Sequence, residues 1–192
     1  AEVHVFDADR YLTHNAFRAP GAPSFDELEA QPHKVDHHSP VYSRLHRAII
    51  AHPYNINESN VEELRGLSFV FLSIDDGEAK KVIFDALVEF HTPFIDVGMG
   101  VDDVDGKLTG VIRTTTSTLD QRDHVGDRVS FANAAVVNEY SSNVQIAELN
   151  ALNAAFAVIK WKKLRGIYAD LEVEHHSTYA VDGNHIVNDI QL

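Results

Sequence analysis

The run from Ser68 to Ile74, with Phe69, Val70, Phe71 and Leu72 consecutive, limits the architecture of this chain more sharply than any other stretch. A strand this apolar reads as buried on both faces, which is how strands of parallel sheets read. Asp75 and Asp76 close it, and Glu78–His91 follows with Val82, Ile83, Ala86, Leu87 and Phe90 at helical spacing. The same alternation recurs along the chain. Val3–Phe6 reads as a strand ending in Asp7 and Asp9. Lys34 to about Leu45 reads as a helix that either kinks or begins at Ser39-Pro40. Arg47–Ile56 is a second strand, and a short helix capped by Asn57 or Ser59 ends at Gly66. Phe94–Val97 runs into Gly98-Met99-Gly100, and Lys107–Arg113 follows the Asp105-Gly106 turn. The predicted fold is α/β, a Rossmann-like three-layer arrangement with a mostly parallel sheet. An antiparallel hairpin, Ser177–Val181 with His185–Ile190, ends it.

Residues 19–33, with Pro20, Pro23 and Pro32, read as a surface loop, and the polar stretch 114–142 as the longest loop. Asn143–Leu164 is the strongest helix, with Val144, Leu149, Leu152, Phe156 and Ile159 as its buried stripe. Lys160, Lys162 and Lys163 read as its solvated C-terminal end. No repeat or linker divides the chain, so residues 1–192 are expected to form one domain.

Composition removes several chemistries. The chain has no cysteine, which excludes disulfides, thiolate zinc sites and cysteine nucleophiles within it. A net charge of −13 disfavours a nucleic-acid partner while leaving room for a local basic phosphate pocket. No apolar run approaches membrane-spanning length and no secretory signal is visible, so a cytoplasmic protein is expected. The chain opens with Ala1 directly in a strand-like run, which suggests a processed or excised piece.

The chemistry-bearing residues lie mostly near the start. Acids at the C-terminal end of an early parallel strand stand where α/β sheets bind nucleotides, and one of them can hydrogen-bond ribose hydroxyls. Asn15 and Arg18 share a face if their stretch is helical, and the Arg18 guanidinium can grip a phosphate. An ordinary strand end followed by a polar loop would look the same.

Asp7, Asp9, Asn15 and Arg18 stand in the spacing D-x-D-x5-N-x2-R, which resembles the pattern after the second strand of the ThiF/MoeB/HesA (ubiquitin-activating enzyme-like) family. Gln31-Pro32-His33-Lys34 resembles its Q-P-K loop with one residue added, and Ile74-Asp75-Asp76 holds the place of its T-D-N. The glycine-containing turn at 98–100, the long loop, the long helix and the last hairpin come in the family's order. The wording of the second half, including Glu139–Asn150, resembles the bacterial ThiF-like branch.

This resemblance implies an ATP-dependent adenylyltransferase that activates the C-terminal carboxylate of a ubiquitin-like or sulfur-carrier protein. It implies that Asp7 holds the ribose, with Asp9 supporting that turn or approaching metal. Asn15 and Arg18 contact the triphosphate, Lys34 is a second phosphate cation, and Asp75 binds Mg²⁺. Arg18, Lys34 and Asp75 are then the catalytic set, and a homodimer is expected. The family's first strand and glycine-rich turn have no counterpart in this sequence. They are expected from an upstream segment or a second chain, and these residues alone are expected to be inactive or poorly folded. Cysteines replaced at Ser130, Ala134 or Ala135 are a further possibility, because relatives carry an acyl-accepting cysteine near the crossover loop. Other readings are a non-catalytic dimerisation or recruitment scaffold and an NAD-binding Rossmann oxidoreductase. The twelve histidines, including His33, His37, His38, His175 and His176, are not expected to form a metal site, since neighbours on a helix diverge by about 100°.

Overall fold

A computed structural model describes residues 2–21, 23–131 and 146–189. The chain divides into two compact units, Ala1–Asn57 and Glu58–Leu192. The first holds strands β1 (Val3–Phe6) and β2 (Ile49–His52) and helices α1 (Phe25–Glu29) and α2 (Lys34–Tyr42). The second holds β3 (Val70–Leu72), β4 (Phe94–Val104), β5 (Lys107–Ser117), β6 (His176–Ala180) and β7 (His185–Asp189). Its helices are α3 (Gly77–Glu89), α4 (Val125–Arg128) and α5 (Ala147–Leu164). Among the described residues no helix is long and apolar enough to cross a membrane.

In the first unit β1 and β2 pair in parallel, Val3 opposite Ile49 and Phe6 opposite His52. The second strand is thus shorter than the expected 47–56. The 19–33 loop contains α1, which Ser24 and Glu27 start as a reciprocal capping box. Pro40 lies inside α2, which neither begins nor ends there. Its missing N–H costs one bond near the helix end, and the Ser43 N–H still reaches the Ser39 carbonyl at 2.9 Å. Tyr11 and Val35 form the buried centre of this unit.

In the second unit the strand order is β3-β4-β5-β6-β7. β3 and β4 are parallel, and every later pairing is antiparallel. The fold is therefore α/β as the sequence implies, with the antiparallel part reaching from β4 to β7. Phe94 and Asp96 face α3, through the Phe84–Phe94 ring contact and the Lys80–Asp96 pair. Ile112 and Val101, on the opposite face, pack with Leu149 of α5.

Several expectations change here. β3 is shorter than Ser68–Ile74 and is an edge strand among the described residues, with Phe71 45% exposed rather than buried on both faces. β4 does not stop at Gly98 but runs through it to Val104, and the turn is at Asp105 (φ 54°) and Gly106 (φ 76°). Gly98 is small for another reason. A Cβ there would stand 2.3 Å from the Arg113 Nη2, so the guanidinium lies across the strand where only glycine leaves room. The 114–142 loop begins later than expected, because Thr114–Ser117 belong to β5 and 125–128 form α4. Residues 132–145, with Ala134, Ala135 and the start of the expected long helix, lie outside the described residues, as do 190–192.

The largest correction concerns Lys160. It is 4% exposed, not solvated, and its Nζ lies 2.9 Å from Asp170 and 3.6 Å from Glu174. Lys163 pairs with the same two carboxylates at 3.2 and 2.9 Å. Burial pushes the Asp170 carboxyl up, but the hydrogen bond and charge of Lys160 outweigh it and hold the group at about 2. The buried stripe of α5 is Leu149, Asn153, Ala157 and Lys160, rotated by about one residue from the apolar stripe.

His124, His175 and His176 are buried near the ends of β5 and β6, and burial pushes each imidazole below the ordinary histidine value. The folded state then binds fewer protons than the unfolded chain below about pH 6.5. Their contribution to stability is therefore complete above that pH and lost as the pH falls through the depressed folded values. The urea midpoint is expected to be lower at pH 5 than at pH 7.5. An equal or higher midpoint at pH 5 would show that these rings protonate without opening the fold.

Candidate functional site

β1 delivers Asp7 and Asp9 to its C-terminal end. The Asp9 N–H donates to the Asp7 carboxylate at 2.7 Å, which fixes the turn off the strand. The Lys34 N–H donates to the Asp9 carbonyl at 2.9 Å, and its Nζ lies 2.6 Å from the Asp9 carboxylate and 3.8 Å from Asp7. Backbone and side chain of the first residue of α2 therefore both hold the strand end. His33 and Arg10 pair as an isolated bridge, and the His33 ring bonds the Ala8 carbonyl at 2.9 Å.

Asn15 is buried, and its side-chain oxygen accepts the Leu12 N–H at 2.8 Å. That bond shapes the 3₁₀ turn Thr13–Phe17, after which the Arg18 N–H donates to the Asn15 carbonyl at 3.1 Å. Asn15 thus has a building role, and it spends one of its acceptor positions within the turn.

Asp9, Arg10, Leu12, His14, Asn15, Arg18 and Lys34 line one cleft of about 190 Å³. Three permanent cations face a single carboxylate in it. The structure brings Asp7, Asp9, Asn15, Arg18 and Lys34 together on one side of the first unit. Asp75 belongs to the second unit, exposed between β3 and α3. Asp76 beside it caps α3, accepting from the N–H groups of Glu78 and Ala79 at 2.9 and 3.2 Å.

Sequence reasoning missed Arg10 and His14. Both occupy unspecified positions of the D-x-D-x5-N-x2-R spacing, and only the turn after Asp9 shows which way they go. Arg10 donates to the Gln31 carbonyl at 3.1 Å and lines the cleft beside Lys34.

The histidines of α2 are packing groups. Tyr11 stacks on His37 at 4.4 Å and meets His38 edge-on at 5.3 Å. Among the described residues no group of three or more histidines and acids is placed to hold a metal ion.

No family model matches the sequence, and no curated protein matches it. Solved structures do resemble it. The crystal structure of PaaA aligns with a TM-score of 0.64 and 16% identity, over 96% of this chain and 62% of that one. The structure of E. coli MccB with AMPCPP and MccA aligns with a TM-score of 0.63 and 15% identity, over 100% and 56%. The chain therefore spans less than two thirds of the length of either protein. At this identity the likeness establishes the fold.

Proposed function

We propose that this chain is the greater part of a ThiF/MoeB/HesA-type adenylating domain, a single domain across residues 1–192, of a cytoplasmic enzyme. In this reading it uses ATP to activate the C-terminal carboxylate of a ubiquitin-like or sulfur-carrier protein. One observation carries the reading: Arg10, Arg18 and Lys34 gather in a single cleft against the acids that end a parallel strand. The likeness to MccB, a protein crystallised with AMPCPP and MccA, is consistent with it.

The chemistry asks little covalent work of the protein. A carboxylate oxygen attacks the α-phosphorus, the bond to the bridging oxygen breaks, and pyrophosphate leaves. Catalysis then consists of alignment and charge neutralisation. Asp7 takes the ribose hydroxyls, Asp9 and Asn15 hold the turn, and Arg18 and Lys34 neutralise phosphate oxygens. Asp75, exposed in the second unit, would offer a hard oxygen to Mg²⁺, and the ion when bound would supply further charge neutralisation.

A cleft of about 190 Å³ is below the ~300–1,000 Å³ of whole-ligand pockets, so it takes only part of a nucleotide. The remaining wall comes, in this reading, from an upstream segment or a second chain with a glycine-rich turn at a helix N-terminus. The functional unit is a homodimer.

The test is calorimetry of the intact protein with Mg·ATP and with NAD⁺. Selective binding of Mg·ATP, weakened at least tenfold by Lys34→Ala, is the expected result. Selective NAD⁺ binding would make the protein an oxidoreductase, and binding of neither nucleotide would leave a scaffold.

A further inference from the structure

In the second unit, α5 and the sheet enclose a cavity of about 200 Å³ over β5, β6 and β7. Ile112, Thr114 and Thr116 alternate along β5 onto its floor, on the face where Ile112 meets Leu149 of α5. Across the ladder Tyr179 stands opposite Ile112, and Ser177 opposite Thr114. The floor therefore changes character along its length. One end is Ile112 and Tyr179 under Phe156, whose ring lies 6.2 Å from that of Tyr179. The other is a set of hydroxyls under Lys160 and Lys163, closed by Glu174. This charged end is level with the start of β4, since Thr116 pairs with Ile95, and Ile95 with Phe71 of β3. Asp75 follows the far end of β3, so the cavity stands apart from that carboxylate.

Thr114 and Thr116 are 6% and 1% exposed, and among the described residues neither hydroxyl has a hydrogen-bond partner. A buried hydroxyl left unpaired is destabilising, and here both line an open space that a polar group can enter. Charge narrows the choice of guest. Lys160 and Lys163 are matched by Asp170 and Glu174, two ammonium groups by two carboxylates. The Lys160 and Glu174 side chains are 5% and 8% exposed, so a guest with net charge would leave one charge unmatched where water cannot offset it. A wholly apolar guest would leave the hydroxyls unpaired. A zwitterion answers both conditions, with its carboxylate on the threonine hydroxyls and lysine N–H groups and its ammonium on Glu174. At ~30 Å³ for each water, the cavity has the volume of about six or seven waters, room for a molecule of roughly nine heavy atoms.

We infer that this cavity is a binding site for a free α-amino acid with an aliphatic side chain. The charged end takes the zwitterionic head, and Ile112, Phe156 and Tyr179 take the side chain. The site belongs to the second unit alone and does not depend on nucleotide binding.

The test is calorimetry of the intact protein with L-leucine as the probe, and one site per chain is the expected result. Isovalerate, which lacks the ammonium, and isoamylamine, which lacks the carboxylate, should each bind at least tenfold more weakly. Thr114→Val keeps the shape of the side chain and removes the hydroxyl. It should weaken L-leucine binding at least tenfold, while the urea midpoint of the ligand-free variant stays level or rises, because an unpaired buried polar group has gone. L-Leucine should raise the midpoint of the unmodified protein more than that of the variant. No binding of L-leucine at millimolar concentration, or equal binding of isovalerate or isoamylamine, would overturn the proposal. So would a Thr114→Val variant that binds L-leucine as tightly as the unmodified protein, or one whose ligand-free midpoint falls.

Discussion

Asp96→Ala is expected to destabilise the second unit by about 3–5 kcal/mol, the range for removing one partner of a buried ion pair. Asp96 is 0% exposed, with Lys80 of α3 at 3.2 Å and Arg113 of β5 at 2.7 Å. Burial pushes its carboxyl above the usual carboxylate range, and the two cations pull it back. Alanine would leave the Lys80 ammonium, itself 6% exposed at the side chain, without its carboxylate partner among the described residues. Its position makes this worse. Lys80 lies in the first turn of α3, where the helix dipole already disfavours a cation. The measurement is urea unfolding of the intact protein, followed by a probe in the second unit. The double variant Asp96→Ala/Lys80→Met should recover part of the loss, because it removes the stranded charge. If the double variant is as unstable as the single one, lost packing and not uncompensated charge explains the effect. Gly98→Ala should act in the same direction but less strongly, since it displaces the Arg113 guanidinium while leaving Asp96 and Lys80 in place.

That triad marks where sequence reading stops. Apolar runs followed by helical periods give β1, β3, α3 and β4 in order, because burial on a sheet and along a helix each leave a periodic trace. A buried charge leaves none. Lys80 stands at helical spacing from Ile83 and Leu87, but its charge argues for solvent, and Asp96 looks like a break in an apolar strand. Their meeting depends on the pairing of β4 with β5, which places Arg113 opposite Gly98. Gly98 itself reads as a turn residue in one dimension and acts as a space for Arg113 in three. The same holds at the other end of the unit. Lys160 lies eleven residues after Leu149, on one helical face with Asn153 and Ala157, but its polarity argues for solvent. Only the carboxylates of Asp170 and Glu174, supplied by the segment after the helix, make its burial tolerable. Asn153 fits the same account, donating to the Gly98 carbonyl at 3.0 Å from a face that propensity alone would leave polar.

The candidate site was more legible, for a physical reason. Asp7, Asp9, Asn15, Arg18 and Lys34 occupy one strand end, one short turn and one helix start, so their proximity follows from local structure. The Lys34–Asp9 contact closes a loop of 25 residues through backbone and side chain together. What the sequence withheld was the distinction between residues that line the cleft and residues that build it. Asn15 does both, and Asp7 also fixes the turn by accepting the Asp9 N–H.

On the proposed function, Asp75→Ala is expected to lower ATP–pyrophosphate exchange by about a thousandfold or more in the intact protein. Removing one preorganised electrostatic contact to a transition state typically costs ~10²–10³ in rate. With Asp75 holding Mg²⁺ as proposed, the loss should reach or exceed the upper end, because the ion's charge neutralisation is lost with it. The position of Asp75 makes the result interpretable. It is exposed, and its neighbour Asp76, not Asp75, carries the cap of α3. Asp75→Ala should therefore leave the urea midpoint close to that of the unmodified protein while exchange collapses. Asp76→Ala should do the reverse, losing about 1 kcal/mol of stability with the cap and retaining most of the exchange. The pair separates chemistry from folding at adjacent positions. Full exchange by the Asp75 variant would remove the metal role from this carboxylate and with it the strongest link between the second unit and adenylation. Raising Mg²⁺ offers a further discrimination. A ligand loss should shift the Mg²⁺ requirement upward, whereas a general loss of structure should lower exchange at every Mg²⁺ concentration alike.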